Sequence, residues 1–216
     1  MSDRILVHGM VLSSMPIGEY DRRLVILTRE RGKISAFAKG ARRPNSSLLA
    51  GSRPFSFGKM YLYEGRTSYT VQVMEIENYF EELMTDLEGA CYGSYFMEFA
   101  DYYGREGVDE TAMLKLLYVS LVALGKRSLK RELVRRVFEL RAMVINGEYS
   151  EKPLTPVGAG AAYAWDYVLC VPVTKLYTFT LKEDSLREFA RAVEALKEYY
   201  IDREFHSLEI LKAMNT

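Results

Sequence analysis

The sequence predicts an α+β protein of two domains, a small β-barrel followed by a mainly α-helical domain that contains one small β-hairpin insertion. Two observations predict this class. Apolar and polar side chains alternate through the first part of the chain, which is typical of strands. After Glu77 the apolar residues recur every three or four positions, which is typical of amphipathic helices. The change of period places the barrel in residues 1–80 and the helical domain in residues 81–216.

Five runs in the first domain have the composition of β-strands. They are RILVHGMVLSS, RRLVILTR, KISAFAKG, FSFGKMYLYEG and TSYTVQVMEIE, and the turn EGRT joins the last two. Five strands in so short a stretch, with no helical pattern among the first four, indicate a closed or nearly closed barrel. An oligonucleotide-binding (OB) barrel has this size, and an SH3-like barrel is the alternative.

The second domain begins with three helical segments, the third of which is SLKRELVRRVFELRAMVINGEY with Gly147 as a stop signal. A linker follows at 150–160, and the glycine-rich GAGAA at its end is assigned to it. The segment WDYVLCVPVTKLYTFTL alternates loosely and predicts a hairpin around residues 163–181, with Pro172 near its turn. The chain closes with two helices and a break near Ile201.

The neutral total charge hides an asymmetry between the two domains. The chain holds 29 basic and 29 acidic residues, but residues 1–80 hold twelve Lys or Arg and seven Asp or Glu, a net charge of +5 that leaves −5 for the remainder. Such a split favours a first domain that faces a polyanion. The alternative is a small β domain with an ordinary solvated cationic surface.

The sequence lacks the signatures of the common enzyme classes. The two histidines, His8 and His206, are expected at structural or surface positions, and no nucleophile elbow, HExxH motif or GxxxxGK[ST] loop is present. The two cysteines, Cys91 and Cys170, are too few for a four-cysteine zinc site and are expected to be buried thiols. We therefore expect a protein that is not an enzyme and has no metal or other cofactor, with a nuclease as the enzymatic alternative.

No membrane or export signal is found in the sequence. The longest apolar runs are too short to span a bilayer, and MSDRILVHGMVL carries charges where a signal peptide is apolar. A cytoplasmic protein is expected.

An acid-free stretch is the most informative part of the first domain. Residues 31–63 contain seven Lys or Arg and no Asp or Glu, and aromatic residues are interleaved with them. Cations contact phosphates and aromatic rings stack on bases, so this combination favours single-stranded nucleic acid. For the odd-numbered aromatics from Phe55 to Tyr63, core burial of at least half is expected instead. The predicted DNA contacts are Lys33, Lys39, Arg42, Arg43 and Arg53, with Arg22 and Arg23 on the preceding strand.

A second cationic cluster lies in the third predicted helix. Arg127, Arg131 and Arg135 recur every four residues and form one stripe with Lys130 beside the apolar face. Such a stripe suits DNA or an acidic peptide with apolar anchors. An ordinary solvated helix face is the alternative.

Several phrases together resemble the RecO recombination-mediator proteins of bacterial DNA repair. They are the glycine-plus-aliphatic first strand, GEYDRRLVILTRERGKI, the loop AKGARRPNS and LLAGSRPFSFGKMYLY. The later chain is similar in outline through REGVDETAMLKLLYVSLVALG, RRVFELRAMVINGEY and the closing HSLEIL. The similarity is weakest between Ser150 and Tyr177.

The resemblance implies an N-terminal OB barrel that binds single- and double-stranded DNA, with annealing of complementary strands at the nucleoid. It also implies RecR and the acidic C-terminal tail of single-stranded DNA-binding protein as partners, and indirect help to RecA. Lys39, Arg42 and Arg43 match the family's basic loop. Many relatives carry a four-cysteine zinc motif after the third long helix, where this chain has only Cys170. A zinc-free hairpin is therefore expected. An OB-fold adaptor that binds proteins without a DNA role is the alternative from another class.

Overall fold

The structure is a computed structural model that describes residues 4–214. Its β-strands are β1 (Arg4–Ile17), β2 (Asp21–Thr28), β3 (Gly32–Ala38), β4 (Phe57–Glu64) and β5 (Tyr69–Asn78). They close into a barrel in the order β1-β2-β3-β5-β4, with β1 hydrogen-bonded to both β2 and β4 and with β3 parallel to β5. All five predicted strands are confirmed, and this Greek-key connectivity is that of an OB barrel rather than of an SH3-like one.

Every second side chain along the strands points inward, and these apolar side chains fill the barrel interior. On β2 and β3 the inward positions hold Leu24, Ile26, Ile34 and Ala36, which are buried in one cluster with residues from every other strand. Successive side chains of a strand point to opposite faces, so their sequence neighbours lie on the outer surface. This parity decides which of the predicted cations face solvent.

A series of tight turns between β3 and β4 closes one part of the barrel. Ala41, Leu48 and Phe55 are buried there, and the Phe55 and Ser56 backbones hydrogen-bond to Val11 on β1. The buried apolar side chains anchor these turns to the barrel, and the cations between them are thereby held in place.

The described residues form two compact units. The first, the barrel unit, contains the residues up to Glu81 together with Met97–Leu114, and the second, the helical unit, contains Glu82–Phe96 and the residues from Lys115 onward. Met97–Leu114 groups with the barrel because Lys33 on β3 binds this segment. The Lys33 backbone N–H donates to Arg105 O at 2.9 Å, and Lys33 Nζ donates to Asp101 O at 2.6 Å. The sequence placed this segment with the helices.

The helices are α1 (Glu81–Met84), α2 (Leu87–Tyr103), α3 (Thr111–Leu124), α4 (Arg131–Ile145), α5 (Ala159–Cys170), α6 (Glu183–Tyr200) and α7 (His206–Met214), with a 3-10 turn at Val173–Lys175. The predicted break near Ile201 is confirmed between α6 and α7. Among the described residues, no helix is long and apolar enough to cross a membrane.

The predicted hairpin around residues 163–181 was wrong, because most of that segment belongs to helix α5 or to irregular structure. The residues GAGAA, assigned to a linker, form the start of this helix. Ala161, Ala164, Trp165 and Val168 are buried at helical spacing, and α5 packs against α4 and α6. Arg141 Nη1 donates to the last carbonyls of α5, Val168 O at 3.0 Å and Leu169 O at 2.7 Å.

Candidate nucleic-acid interface

The outer surface of β1, β2 and β3 carries a row of one apolar, one cationic and one aromatic side chain. Met15 pairs with Arg23 across β1 and β2, and Arg23 pairs with Phe37 across β2 and β3. Arg23 Nε donates to Ser35 Oγ at 3.0 Å, which fixes the guanidinium on this surface. Met15 and Arg23 are exposed and Phe37 is half-buried. We call Met15, Ile17, Arg23 and Phe37 the hairpin face.

Three exposed cations are held beside the hairpin face. The Gly40 N–H donates to Asp21 Oδ1 at 2.7 Å, and the Arg42 N–H donates to Tyr20 O at 2.8 Å. These bonds tie the turns after β3 to the tip of the β1–β2 hairpin. The Arg43 guanidinium carbon lies 5.1 Å from the centroid of the Tyr20 ring, within the range of a cation–π contact. Lys39, Arg42 and Arg43, which we call the cationic loop, therefore share one surface with Arg23.

The cations of this surface keep their charge available to solvent. Arg42 Nη1 donates to Gly18 O at 3.3 Å. This carbonyl oxygen has no net charge, so the positive charge of Arg42 is not neutralised by it. Among the described residues, no carboxylate forms an ion pair with Arg23 or with the cationic loop. Two acids are close in sequence: Glu19 is exposed at the hairpin tip, and Asp21 accepts the Gly40 bond. The arrangement suits a chain of phosphates.

Three other predicted contacts lie elsewhere. Lys33 forms an ion pair with Asp101 Oδ1 at 3.1 Å, because Met97–Leu114 covers its end of β3. Arg22 is half-buried on the same side of β2 as Leu24, and its Nη1 donates to Ser14 Oγ at 2.9 Å. Arg53 is exposed later in the turns between β3 and β4. The structure therefore unites four of the seven predicted side chains.

The aromatic residues of β4 do not form the core that the sequence predicted. Phe55, before the strand, is 2 % exposed and belongs to the core. Phe57 and Tyr61 are half-buried and Tyr63 is exposed, because Met60 and Leu62 occupy the inward positions of β4. The expectation holds for Phe55 alone.

The sequence did not single out Met15 and Ile17. Met15 is 64 % exposed and Ile17 is 39 % exposed, although both are apolar. Their signal was the phrase SSMPIGEY, in which apolar residues continue up to a Gly at a hairpin turn. Gly18 has a φ of 54° at that turn, a conformation that favours glycine.

The predicted stripe on the third long helix was wrong in its geometry. Helix α4 begins at Arg131, so Arg127 lies before it and the four-residue spacing does not apply. Arg131 forms ion pairs with Asp86 and Glu88. Lys130 forms an ion pair with Glu183. Arg127 is exposed, and no ion pair of it is found among the described residues.

The remaining member of the stripe, Arg135, belongs to a buried charge network. Its Nε lies 2.9 Å from Glu139 Oε1, Arg136 Nη1 lies 2.9 Å from Glu139 Oε2, and the Tyr95 hydroxyl donates to Glu139 Oε1 at 2.6 Å. Burial alone would raise the pKa of the Glu139 carboxyl, but Arg136 and Arg135 outweigh it and lower that pKa to about 2. The charges of this network are satisfied by one another, so Arg135 is not available to a ligand.

The cysteines and acids do not assemble a metal site in the described part of the chain. No group of three His, Cys, Asp or Glu side chains there has the arrangement that a metal ion needs. Cys91 is half-buried, and Cys170 is exposed rather than buried as expected. A four-cysteine zinc set does not fit a chain with only these two thiols.

Comparison with known proteins matches most of the chain to two family models. Residues 1–80 match the model described as "Recombination protein O N terminal", and residues 84–151 match "Recombination protein O C terminal". Similar curated proteins carry the name DNA repair protein RecO. That of Alkaliphilus metalliredigens is 38 % identical over 66 % of this chain, and that of Acetivibrio thermocellus is 25 % identical over 96 % of it. That of Moorella thermoacetica is 37 % identical over 64 % of it.

The extent of these matches differs between relatives. The match covers 96 % of the Acetivibrio protein. It covers 58 % of the Alkaliphilus protein and 51 % of the Moorella protein, so the chain spans about half the length of these two curated relatives.

Proposed function

Because this chain belongs to the RecO family, we propose that it is a non-enzymatic mediator of DNA repair and homologous recombination that binds DNA through the hairpin face and the cationic loop. The observation that carries the proposal is the uncompensated cationic surface. Arg23, Lys39, Arg42 and Arg43 are exposed and lie together on one side of the barrel unit. The relatives' name, DNA repair protein RecO, supports the same role.

Contacts between the cations and the phosphates predict that binding depends little on the base sequence of the DNA. Guanidinium and ammonium groups neutralise phosphates and release condensed counterions, which supplies affinity for single and double strands alike. A protein that holds a strand by its phosphates leaves the pairing edges of the bases free. Two such complexes brought together can anneal complementary strands, and loading of RecA on a strand coated with single-stranded DNA-binding protein would follow at the nucleoid.

The partners of this role are part of the proposal. We expect RecR and the acidic C-terminal tail of single-stranded DNA-binding protein to associate with the chain. Of the stripe that the sequence suggested, Arg127 is exposed and forms no ion pair among the described residues, so it is the candidate for the tail, whereas Lys130 pairs with Glu183. Arg131 and Arg135 are occupied by carboxylates of the chain itself.

The salt dependence of single-strand binding tests the cationic loop. Affinity for a single strand falls with salt with a log–log slope of about −0.7 for each phosphate contacted. The double variant Arg42→Glu/Arg43→Glu should therefore bind more weakly at low salt and show a slope shallower by about 1.4. Fluorescence anisotropy with a labelled oligonucleotide across a salt series measures both.

A matched variant separates local contact from net charge. Arg187 and Arg191 are exposed on α6, and their double change to Glu alters the net charge of the chain equally. We expect its slope to equal that of the wild type. Equal slopes for the loop variant and the wild type would contradict the proposed site.

A further inference from the structure

We propose that the hairpin face contacts the bases of a single strand through Met15, Ile17 and Phe37, while the cationic loop holds its phosphates. The proposal rests on the proposed function and names the form of DNA that this surface prefers. It extends that function from charge alone to a chemical distinction between exposed and paired bases.

The first observation is that the outer surface of β2 and β3 is covered at one end and open at the other. At the covered end, Leu27 is fully buried, and Gly104 of the segment Met97–Leu114 lies directly against its side chain. At the open end, Met15 is 64 % exposed and Ile17 is 39 % exposed. Apolar side chains that stand out together at a hairpin tip mark an interaction surface.

The second observation is the charge around these apolar groups. Met15 lies directly opposite Arg23, and Arg23 lies directly opposite Phe37. Arg43 packs on the Tyr20 ring at the same hairpin tip. A single strand matches this surface, with phosphates for the cations and base faces for the apolar side chains, and it is the occupant that we propose.

Paired bases offer this surface much less. In a duplex the faces of the bases are stacked on one another, and only their edges reach the grooves. Apolar and aromatic side chains such as Met15 and Phe37 fit an unstacked base face, and stacking of one base on an aromatic ring raises affinity by about tenfold. Apolar side chains of this type also insert between base steps in other DNA-binding proteins. The hairpin face therefore favours single strands over intact duplex.

An abasic oligonucleotide separates base contacts from phosphate contacts. It has the phosphates of an ordinary strand of equal length and no bases. We expect the wild-type chain to bind an oligo-dT strand about tenfold or more tightly than the abasic strand at low salt. In the variant Met15→Ser/Ile17→Ser this ratio should fall but stay above one, because Phe37 remains, with affinity for the abasic strand and the salt slope unchanged.

The opposite side of the barrel unit provides a matched control. Leu6 on β1 is 48 % exposed and Val73 on β5 is 43 % exposed, and both pair with Tyr61. The variant Leu6→Ser/Val73→Ser also removes two exposed apolar side chains and should keep the wild-type ratio. Phe37→Leu, which keeps an apolar side chain at a half-buried position, should lower the ratio without unfolding the barrel.

The measured affinities for the oligo-dT strand and the abasic strand distinguish base contacts from phosphate contacts. Equal wild-type affinity for the two strands contradicts the base contacts and leaves the cationic site in place. A large ratio that neither the Met15→Ser/Ile17→Ser nor the Phe37→Leu variant lowers shows that the bases bind elsewhere and overturns the proposal. Failure of the wild type to bind either strand contradicts the proposed function itself.

Discussion

Glu139 carries a buried charge in the helical unit. Its carboxylate is fully buried, and it is ionised only because two guanidiniums and the Tyr95 hydroxyl surround it. Burial of an unpaired charge is strongly unfavourable, so removal of one partner costs more than the pair contributes. The sequence read Arg135 as a surface cation because arginine is seldom buried. Its partner Glu139 lies one turn on in the same helix, but its partner Glu194 on α6 is visible only in the fold.

Acid should destabilise the helical unit through Glu139. Its pKa of about 2 in the folded protein lies below the ordinary value of 4.5, so its stabilisation is complete above about pH 4.5 and is lost as the pH falls towards 2. The shift corresponds to about 3 kcal/mol of the free energy of unfolding. Urea unfolding should show Glu139→Gln destabilised by about 3–5 kcal/mol at pH 7 and less dependent on pH between 4.5 and 2.

Glu183, whose carboxylate pairs with Lys130 on the surface, serves as the control for this measurement. Glu183→Gln should leave the stability of the protein at pH 7 nearly unchanged, because exposed ion pairs contribute little. A Glu139→Gln protein as stable as the wild type at pH 7 would contradict the buried network.

At the scale of elements, local alternation identified every strand of the barrel but misassigned α5. The barrel strands alternate because one face of each is buried, and that signal is local. In α5 the small residues Gly160, Ala161 and Ala164 allow close packing on other helices, and a small-residue helix has a weak apolar period. Ser185 Oγ of α6 lies 2.4 Å from the position that a Cβ would take at Gly160, so any larger residue there would require the Ser185 side chain to move.

A proline substitution tests α5 as a helix. Tyr163 lies inside α5 and is exposed, so its side chain contributes little to packing. Tyr163→Pro should cost about 3 kcal/mol or more in the free energy of unfolding, because it removes a helical hydrogen bond and clashes with the preceding turn. Tyr163→Ala should be nearly neutral. Equal stability of the two variants would speak against a helix at this position.

At the scale of the whole molecule, the charge asymmetry predicted a first domain that faces a polyanion, and four exposed cations for which no ion pair is found among the described residues lie together on the barrel unit. The asymmetry did not tell which cations of the first domain are available. Lys33 is covered because Met97–Leu114, far along the chain, returns to the barrel, and no local pattern announces such a contact. Arg22 and Arg23 are neighbours in sequence, and strand parity sends them to opposite faces. The cationic loop could be predicted because a run of residues without Asp or Glu between two strands is visible in the local sequence, without knowledge of any distant contact.

The central claim is that DNA lies on the hairpin face and the cationic loop of the barrel unit. Amide hydrogen exchange with and without a single-stranded oligonucleotide tests it most directly, since it reports the bound segment without a mutation. We predict slower exchange in residues 13–23 and 37–43, with no change in α4 or on the outer positions of β4 and β5. Protection confined to the helical unit, with residues 13–23 and 37–43 unaffected, would contradict the claim.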